Sequence, residues 1–144
     1  MKTETLKLSY TLLCDDVRLE MGNKLSIMGV FQSIMVERLP VSLIKFAVVN
    51  HWQGEGSHQT EVRIVSPDKT NVIVTSQPTQ IELVAGGFTD NVSFFVNVVF
   101  STFGTYWVQT FANTVLLEEL PLQIIDAGNV AGMQTAEEVS ETVN

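Results

Sequence analysis

Apolar and polar residues alternate one by one along most of this chain, and that alternation constrains the fold more than any other feature of the sequence. Apolar side chains occupy the odd-numbered positions on both sides of Gly22-Asn23 in the segment 17–31. A period of two places these side chains on one face of an extended strand. Gly-Asn supplies the positive φ angles that a tight hairpin turn needs. The sequence therefore predicts a β-hairpin that turns at Gly22-Asn23.

The alternation changes phase once near the start of the chain. Apolar residues lie on even positions from Leu6 to Cys14 and on odd positions from Val17 onward. Such a change needs a β-bulge or a bend, so we expect one at residues 14–16, where Asp15 and Asp16 are poor strand formers. Arg18 lies beside these carboxylates and favours an ion pair. We predict that Asp15, Asp16 and Arg18 form a structural corner, because they lack the ligand order of a calcium loop.

Short strands with turn residues between them continue to the end of the pattern. No segment before residue 126 shows a helical period over three turns. This spacing is typical of an all-β sandwich or barrel of eight or nine strands. We predict one β-sandwich domain at 1–125 and an acidic C-terminal tail at 126–144, disordered or forming a short docking helix. Further strands are expected at 24–37, 43–52, 60–65, 72–75, 81–83, 92–100, from 104 to a turn at 112–114, and at 115–125, with a turn at 53–57.

Composition excludes several classes of partner. The net charge is −8 and no stripe of Lys or Arg is present, so we expect neither nucleic acid nor an anionic membrane surface as a partner. The apolar runs are far shorter than the roughly 20 residues of a membrane span, and the first residues do not read as a signal peptide. Cys14 is the only cysteine, which indicates a reducing, cytoplasmic location.

One resemblance concerns the fold. Gly104-Thr105-Tyr106-Trp107-Val108 is similar to the Gly-x-Tyr-x-Cys segment of immunoglobulin-like domains, with Val108 in place of the Cys. The resemblance implies an immunoglobulin-like antiparallel β-sandwich in which Tyr106 makes a tyrosine corner. No Cys-Trp-Cys framework is present, so an antibody-type domain is not implied.

A second resemblance covers most of residues 6–125. It rests on Leu13-Cys14-Asp15-Asp16-Val17-Arg18, on Glu20 and Gly22-Asn23-Lys24, on Ile27-Met28-Gly29-Val30-Phe31, and on Gly104-Thr105-Tyr106. These segments resemble an uncharacterised family of small bacterial proteins, a domain of unknown function. The resemblance implies a bacterial or phage origin and carries no activity, ligand or site residue.

No catalytic motif is present, and we expect no cofactor and no resident metal. Nucleophile elbows, zinc-protease helices, phosphate loops and dinucleotide fingerprints are all missing from the sequence. Cys14 is expected to point inward beside two carboxylates, which disfavour its thiolate. His51 and His58 would face each other if residues 53–57 closed a hairpin, and with Asp15 and Asp16 they form the weakest hypothesis, a metal-dependent enzyme.

Aromatic residues are the best candidates for binding. Trp107 and Phe111 share one face of their strand, and either a neighbouring segment covers them or they form an exposed patch. We therefore predict a non-enzymatic binding or assembly module, whose partner is another protein or a second copy of the chain in a homo-oligomer. The alternative is a small-ligand or carbohydrate-binding domain that uses Trp52 or Trp107 as a stacking platform.

Overall fold

A computed structural model describes residues 5–128. Eight β-strands account for most of these residues, which confirms the prediction of an all-β fold. The predicted acidic tail lies outside the described residues from position 129 on. The strands are β1 (Leu6–Glu20), β2 (Lys24–Phe31), β3 (Ser33–Val36), β4 (Val41–Val65), β5 (Val72–Thr75), β6 (Thr79–Phe100), β7 (Gly104–Ala112) and β8 (Val115–Asp126).

All eight strands belong to one continuous, curled sheet. Along its main path the order is β2-β1-β4-β7-β8-β3, and β5 and β6 both pair with β4. Neighbouring strands run antiparallel except β3 and β8, which are parallel. The sheet has the form of a half-barrel, and the expected immunoglobulin-like antiparallel β-sandwich is not shown.

Two long strands keep the sheet continuous. β4 has 25 residues and β6 has 22, and they remain paired from Val41 opposite Phe100 to Thr60 opposite Thr79. The predicted turn at 53–57 is therefore wrong, and so is the division of β6 into separate strands at 81–83 and 92–100, which the structure joins through Gly86-Gly87. Both places are bends inside one long strand each.

The two bends lie opposite each other, and together they bend the sheet. Gly54 pairs with Gly87 and Gly56 with Leu83, so β4 advances two residues where β6 advances four. Gly54 and Gly56 have φ angles of 145° and 95°, which favour glycine. A Cβ atom on Gly54 would also overlap the carbonyl oxygen of Thr5. Gly54 and Gly56 thus form a bulge that bends β4 without ending it, because β6 bends at the same place.

The main core lies on the concave face, which we call the inner face. It contains Leu13, Phe46 and Val48 from one half of the sheet and Ile64, Val108 and Leu122 from the other, each no more than 1% exposed. Because both halves contribute to a single cluster, the curl of the sheet is what closes the core.

The β1–β2 hairpin covers the opposite, outer face of the sheet. Val17, Leu25 and Ile27 pack against Cys14, Ala47 and Val49, which are completely buried.

The predicted change of phase is present, since even-numbered Cys14 and odd-numbered Val17 share this cluster. Its cause is not an inserted residue: the β1–β2 register is constant from Leu13 to Glu20, and the register shift of β1 against β4 lies between Leu8 and Tyr10. Gly22 and Asn23 have the predicted positive φ angles, 82° and 59°.

Candidate interaction surface

A cluster of stacked rings lies on the outer face, near the tip of the hairpin. Pairing of β1, β4 and β6 places Tyr10 beside His51 and His51 beside Asp90. The rings of Tyr10 and His51 stack at 5.0 Å with an angle of 3° between their planes, and Phe88 packs on His51 at 5.6 Å. His51 Nδ1 lies 2.6 Å from an oxygen of Asp90, so the imidazole is held between two rings and a carboxylate. Desolvation, and then the charge of Asp90, raises the pKa of Tyr10.

The second edge of β6 is open in the described part of the chain. Within residues 5–128, β6 pairs only with β4, so its other row of main-chain donors and acceptors has no strand partner. Residues 91–100 contain no charged residue, no Gly and no Pro. Phe94, Val96 and Val99 along this edge are 48%, 64% and 47% exposed. We call this segment the β6 edge.

The β6 edge lacks the usual features that prevent strands from pairing between molecules. Edge strands are normally very short, charged, interrupted by Pro, or covered by another element. The one interruption here is Asn97, whose φ of 52° kinks the strand. Lys45 lies over the Phe94 ring at 5.1 Å, but its side chain is on the face of the sheet and not along the edge. Main-chain pairing with another strand is the chemistry that this arrangement offers.

Trp107 and Phe111 lie together on one face of β7, beneath the ends of long cationic side chains. Lys69 Nζ is 4.8 Å from the centre of the Trp107 ring, and the Arg63 guanidinium is 4.4 Å from that of Phe111. Lys69 also binds Glu119 at 2.9 Å. Both aromatic side chains are half-buried, so their proposed role in binding stays a prediction, on a face already occupied by ion pairs.

Trp52 lies elsewhere and is completely buried. It packs with Ile81, Leu83 and Ala112 near the bend of the sheet. The hypothesis that Trp52 offers a stacking platform to a ligand is therefore wrong. Whether a second segment covers the Trp52 side chain depends on the curl of the sheet, which no local pattern specifies.

The two histidines are not brought together. His58 is buried, with Nε2 2.8 Å from the carbonyl of Glu55 and Nδ1 2.9 Å from the amide of Asn113. His51 lies on the other side of the bend. They would have faced each other only if 53–57 were a hairpin turn, which it is not. Among residues 5–128 no group of three or more His, Cys, Asp and Glu side chains could hold a metal ion.

The residues predicted to form the structural corner and the tyrosine corner lie in two separate parts of the structure. Asp16 binds Lys45 at 3.1 Å, and this bond, followed by the main-chain N–H of Val17, lowers its pKa. The direct partner is thus Lys45 and not Arg18, which is exposed. Tyr106 lies far along the chain, where its phenol donates a hydrogen bond of 2.9 Å to the carbonyl of Thr102.

Sequence reasoning missed both the ring cluster and the β6 edge. Apolar residues at both even and odd positions of 92–100 predict a central strand covered on both faces, whereas in residues 5–128 only the inner face is buried and one edge has no strand partner. Cys14 was interpreted correctly as buried, and its burial is the main cause that raises the pKa of its thiol. Within the described residues no helix is long and apolar enough to cross a lipid bilayer.

Comparison with solved structures shows a likeness of fold only. A β-glucosidase from Listeria innocua in complex with isofagomine superposes with a TM-score of 0.51 at 7% identity, over 84% of this chain and 16% of that one. The Pseudomonas fluorescens alkylpurine DNA glycosylase AlkC bound to DNA superposes with a TM-score of 0.54 at 8% identity, over 83% of this chain and 30% of that one. The chain thus spans less than a third of either protein.

The sequence itself identifies a family. No match was found among the curated proteins. The family of unknown function DUF6941 matches residues 9–125, which include all eight strands except the ends of β1 and β8. The chain belongs to this family, DUF6941.

Proposed function

We propose that this protein is a non-enzymatic assembly module that pairs with a second copy of itself along the β6 edge. The observation that carries the proposal is the ten-residue, uncharged edge at 91–100, with no strand partner in the described part of the chain. An extended, apolar edge is a template for pairing with another strand.

Self-pairing is chemically favourable for this particular segment. In an antiparallel pair of two identical edges, apolar residues face apolar residues, and no like charges meet across the strands. A ten-residue antiparallel pairing forms about ten main-chain hydrogen bonds, which is the number in a typical protein interface. The exposed side chains of Phe94, Val96 and Val99 would then be covered by their counterparts.

Light scattering tests the proposal on the full chain and two variants. We expect the wild type to have the mass of a dimer, twice 15.9 kDa. Val96→Lys places two positive charges close together in the dimer, and natural edge strands carry such charges to prevent pairing. It should therefore raise the dimer dissociation constant tenfold or more. Val115→Lys is the matched control, because Val115 is also exposed (59%) but lies in β8.

Two outcomes would contradict the proposal. A wild type that stays monomeric up to high concentration would show that the β6 edge does not pair with itself. Dimers that Val96→Lys leaves intact, or that Val115→Lys disrupts equally, would place the interface elsewhere. Circular dichroism on each variant confirms that the β-sheet is retained.

A further inference from the structure

A cavity of about 350 Å³ opens at the place where β2 passes into β3. Apolar side chains form most of its wall, and polar groups lie at its mouth. Its volume is within the range of pockets that bind small molecules, roughly 300–1,000 Å³. The lining includes Phe31, Ile34, Leu43 and Phe46, and also Asp15 and Lys45, which are exposed to solvent and therefore lie at the mouth.

The position of Asp15 at this mouth is fixed by Gly29. The carboxylate lies directly over Gly29, so close that a Cβ atom on that residue would overlap it. Gly29 has a φ of 68°, a conformation that other residues rarely adopt. The glycine thus makes room for a carboxylate that would otherwise be displaced from the cavity.

The charges at the mouth do not balance. Lys45 is the cation of the cavity lining, but its ammonium is bonded to Asp16 at 3.1 Å and lies over the Phe94 ring. Among the described residues no ion pair involves Asp15. One carboxylate therefore remains at the entrance of an apolar cavity without a cation of its own.

We propose that this cavity binds a small organic amine, whose apolar body packs on Phe31, Leu43 and Phe46 while its ammonium pairs with Asp15. An alcohol of the same shape would retain the apolar contacts but lose the charge. A carboxylic acid of that shape would bring a second negative charge beside Asp15. The site thus discriminates by head group, and the selectivity is carried by one residue.

Isothermal titration calorimetry with three probes of one shape tests this inference: phenethylamine, 2-phenylethanol and 3-phenylpropionate. We expect phenethylamine to bind roughly tenfold or more tightly than 2-phenylethanol, because hydrogen bonds to charged groups are among the strongest in proteins. Binding of 3-phenylpropionate should be weaker than that of the alcohol.

Two variants separate recognition from folding. Asp15→Asn should reduce the affinity for phenethylamine to that for 2-phenylethanol and leave the affinity for the alcohol unchanged, whereas Glu82→Gln, an exposed carboxylate on β6, should change neither. Leu43→Phe fills the cavity and should weaken both probes. Equal binding of amine and alcohol to the wild type, selectivity that survives Asp15→Asn, or no binding of any probe would each overturn the proposal.

Discussion

Single polar side chains hold the turns of this protein in place, and Asp68 is the clearest example. It lies in the connection between β4 and β5, where Pro67 and Lys69 flank it. One of its carboxylate oxygens accepts hydrogen bonds from Ser66 Oγ at 2.6 Å, Thr70 Oγ1 at 2.8 Å and the Thr70 main-chain N–H at 3.1 Å. These bonds, that of Ser66 foremost, lower the pKa of Asp68 from 3.8 to about 2.

The stability of the protein should therefore depend on Asp68 in a defined pH window. Because the folded-state pKa is depressed, the stabilisation is present above about pH 5 and is lost as pH falls through the range between 3.8 and about 2. Asp68→Asn removes the charge and should lower the melting temperature at pH 6. The difference between variant and wild type should shrink as the pH falls to 2. A difference that is the same at pH 6 and pH 2 would contradict the assignment.

At the scale of whole strands, the bend of β4 opposite β6 decides the shape of the sheet. Gly54 lies in the bend against the carbonyl of Thr5, and the main-chain N–H of Glu55 donates a hydrogen bond of 2.9 Å to that same oxygen. The start of β1 is thus packed directly on the bend. A side chain at position 54 would have to displace this segment.

A pair of glycine substitutions separates crowding from backbone strain. Gly86 lies in the matching bend of β6 with a φ of 74°, and a Cβ atom there would meet nothing within 4 Å. Gly86→Ala should cost about 1–2 kcal/mol of unfolding free energy, from the left-handed backbone alone. Gly54→Ala should cost more, roughly 3 kcal/mol or above, because it adds a steric overlap. Urea denaturation measures both, and equal costs would show that the contact with Thr5 is unimportant.

At the scale of the whole described molecule, residues 5–128, the continuous sheet places β4 at the centre and leaves the β6 edge without a strand partner. β4 has partners on both edges, and Ala47, Val48 and Val49 are fully buried on both faces. Amide hydrogens at 47–49 should therefore exchange only through global unfolding. Exchange among residues 91–100 is expected to be much faster for main-chain N–H groups directed away from β4.

Hydrogen exchange monitored by NMR checks this contrast at two protein concentrations. In a dilute, monomeric sample the outward-directed amides of the β6 edge should exchange quickly, and at high concentration self-pairing should protect them. Protection at 47–49 should not change with concentration. An edge that is equally protected at both concentrations would indicate that a segment of the same chain covers it.

Much of the local structure could be predicted from the sequence, and the site largely could not. The turn at Gly22-Asn23, the burial of Cys14 and the change of phase after it follow from side-chain period and backbone preference, which are local properties. The exposure of Trp52 was predicted wrongly, and so was a pairing of His51 with His58. The histidine pairing assumed that residues 53–57 reverse the chain, whereas the burial of Trp52 depends on segments distant in sequence that pack on it.

The sequence by itself determined that the chain forms strands, where β5, β7 and β8 begin and end to within one residue, and which side chains share a face within a short segment. An alternation with a period of two and a turn-forming dipeptide each extend over only a few residues. A single short segment is therefore enough to specify a strand or a turn. Only the tertiary structure decided that Gly54 and Gly56 bend a strand without ending it, because that depends on the matching bend at Gly86 and Gly87 some 30 residues away. The tertiary structure likewise decided the parallel pairing of β3 with β8, the cavity at Asp15 and the open β6 edge of the described residues. Strand pairing joins segments that are far apart in the sequence, and no local pattern specifies which segments pair.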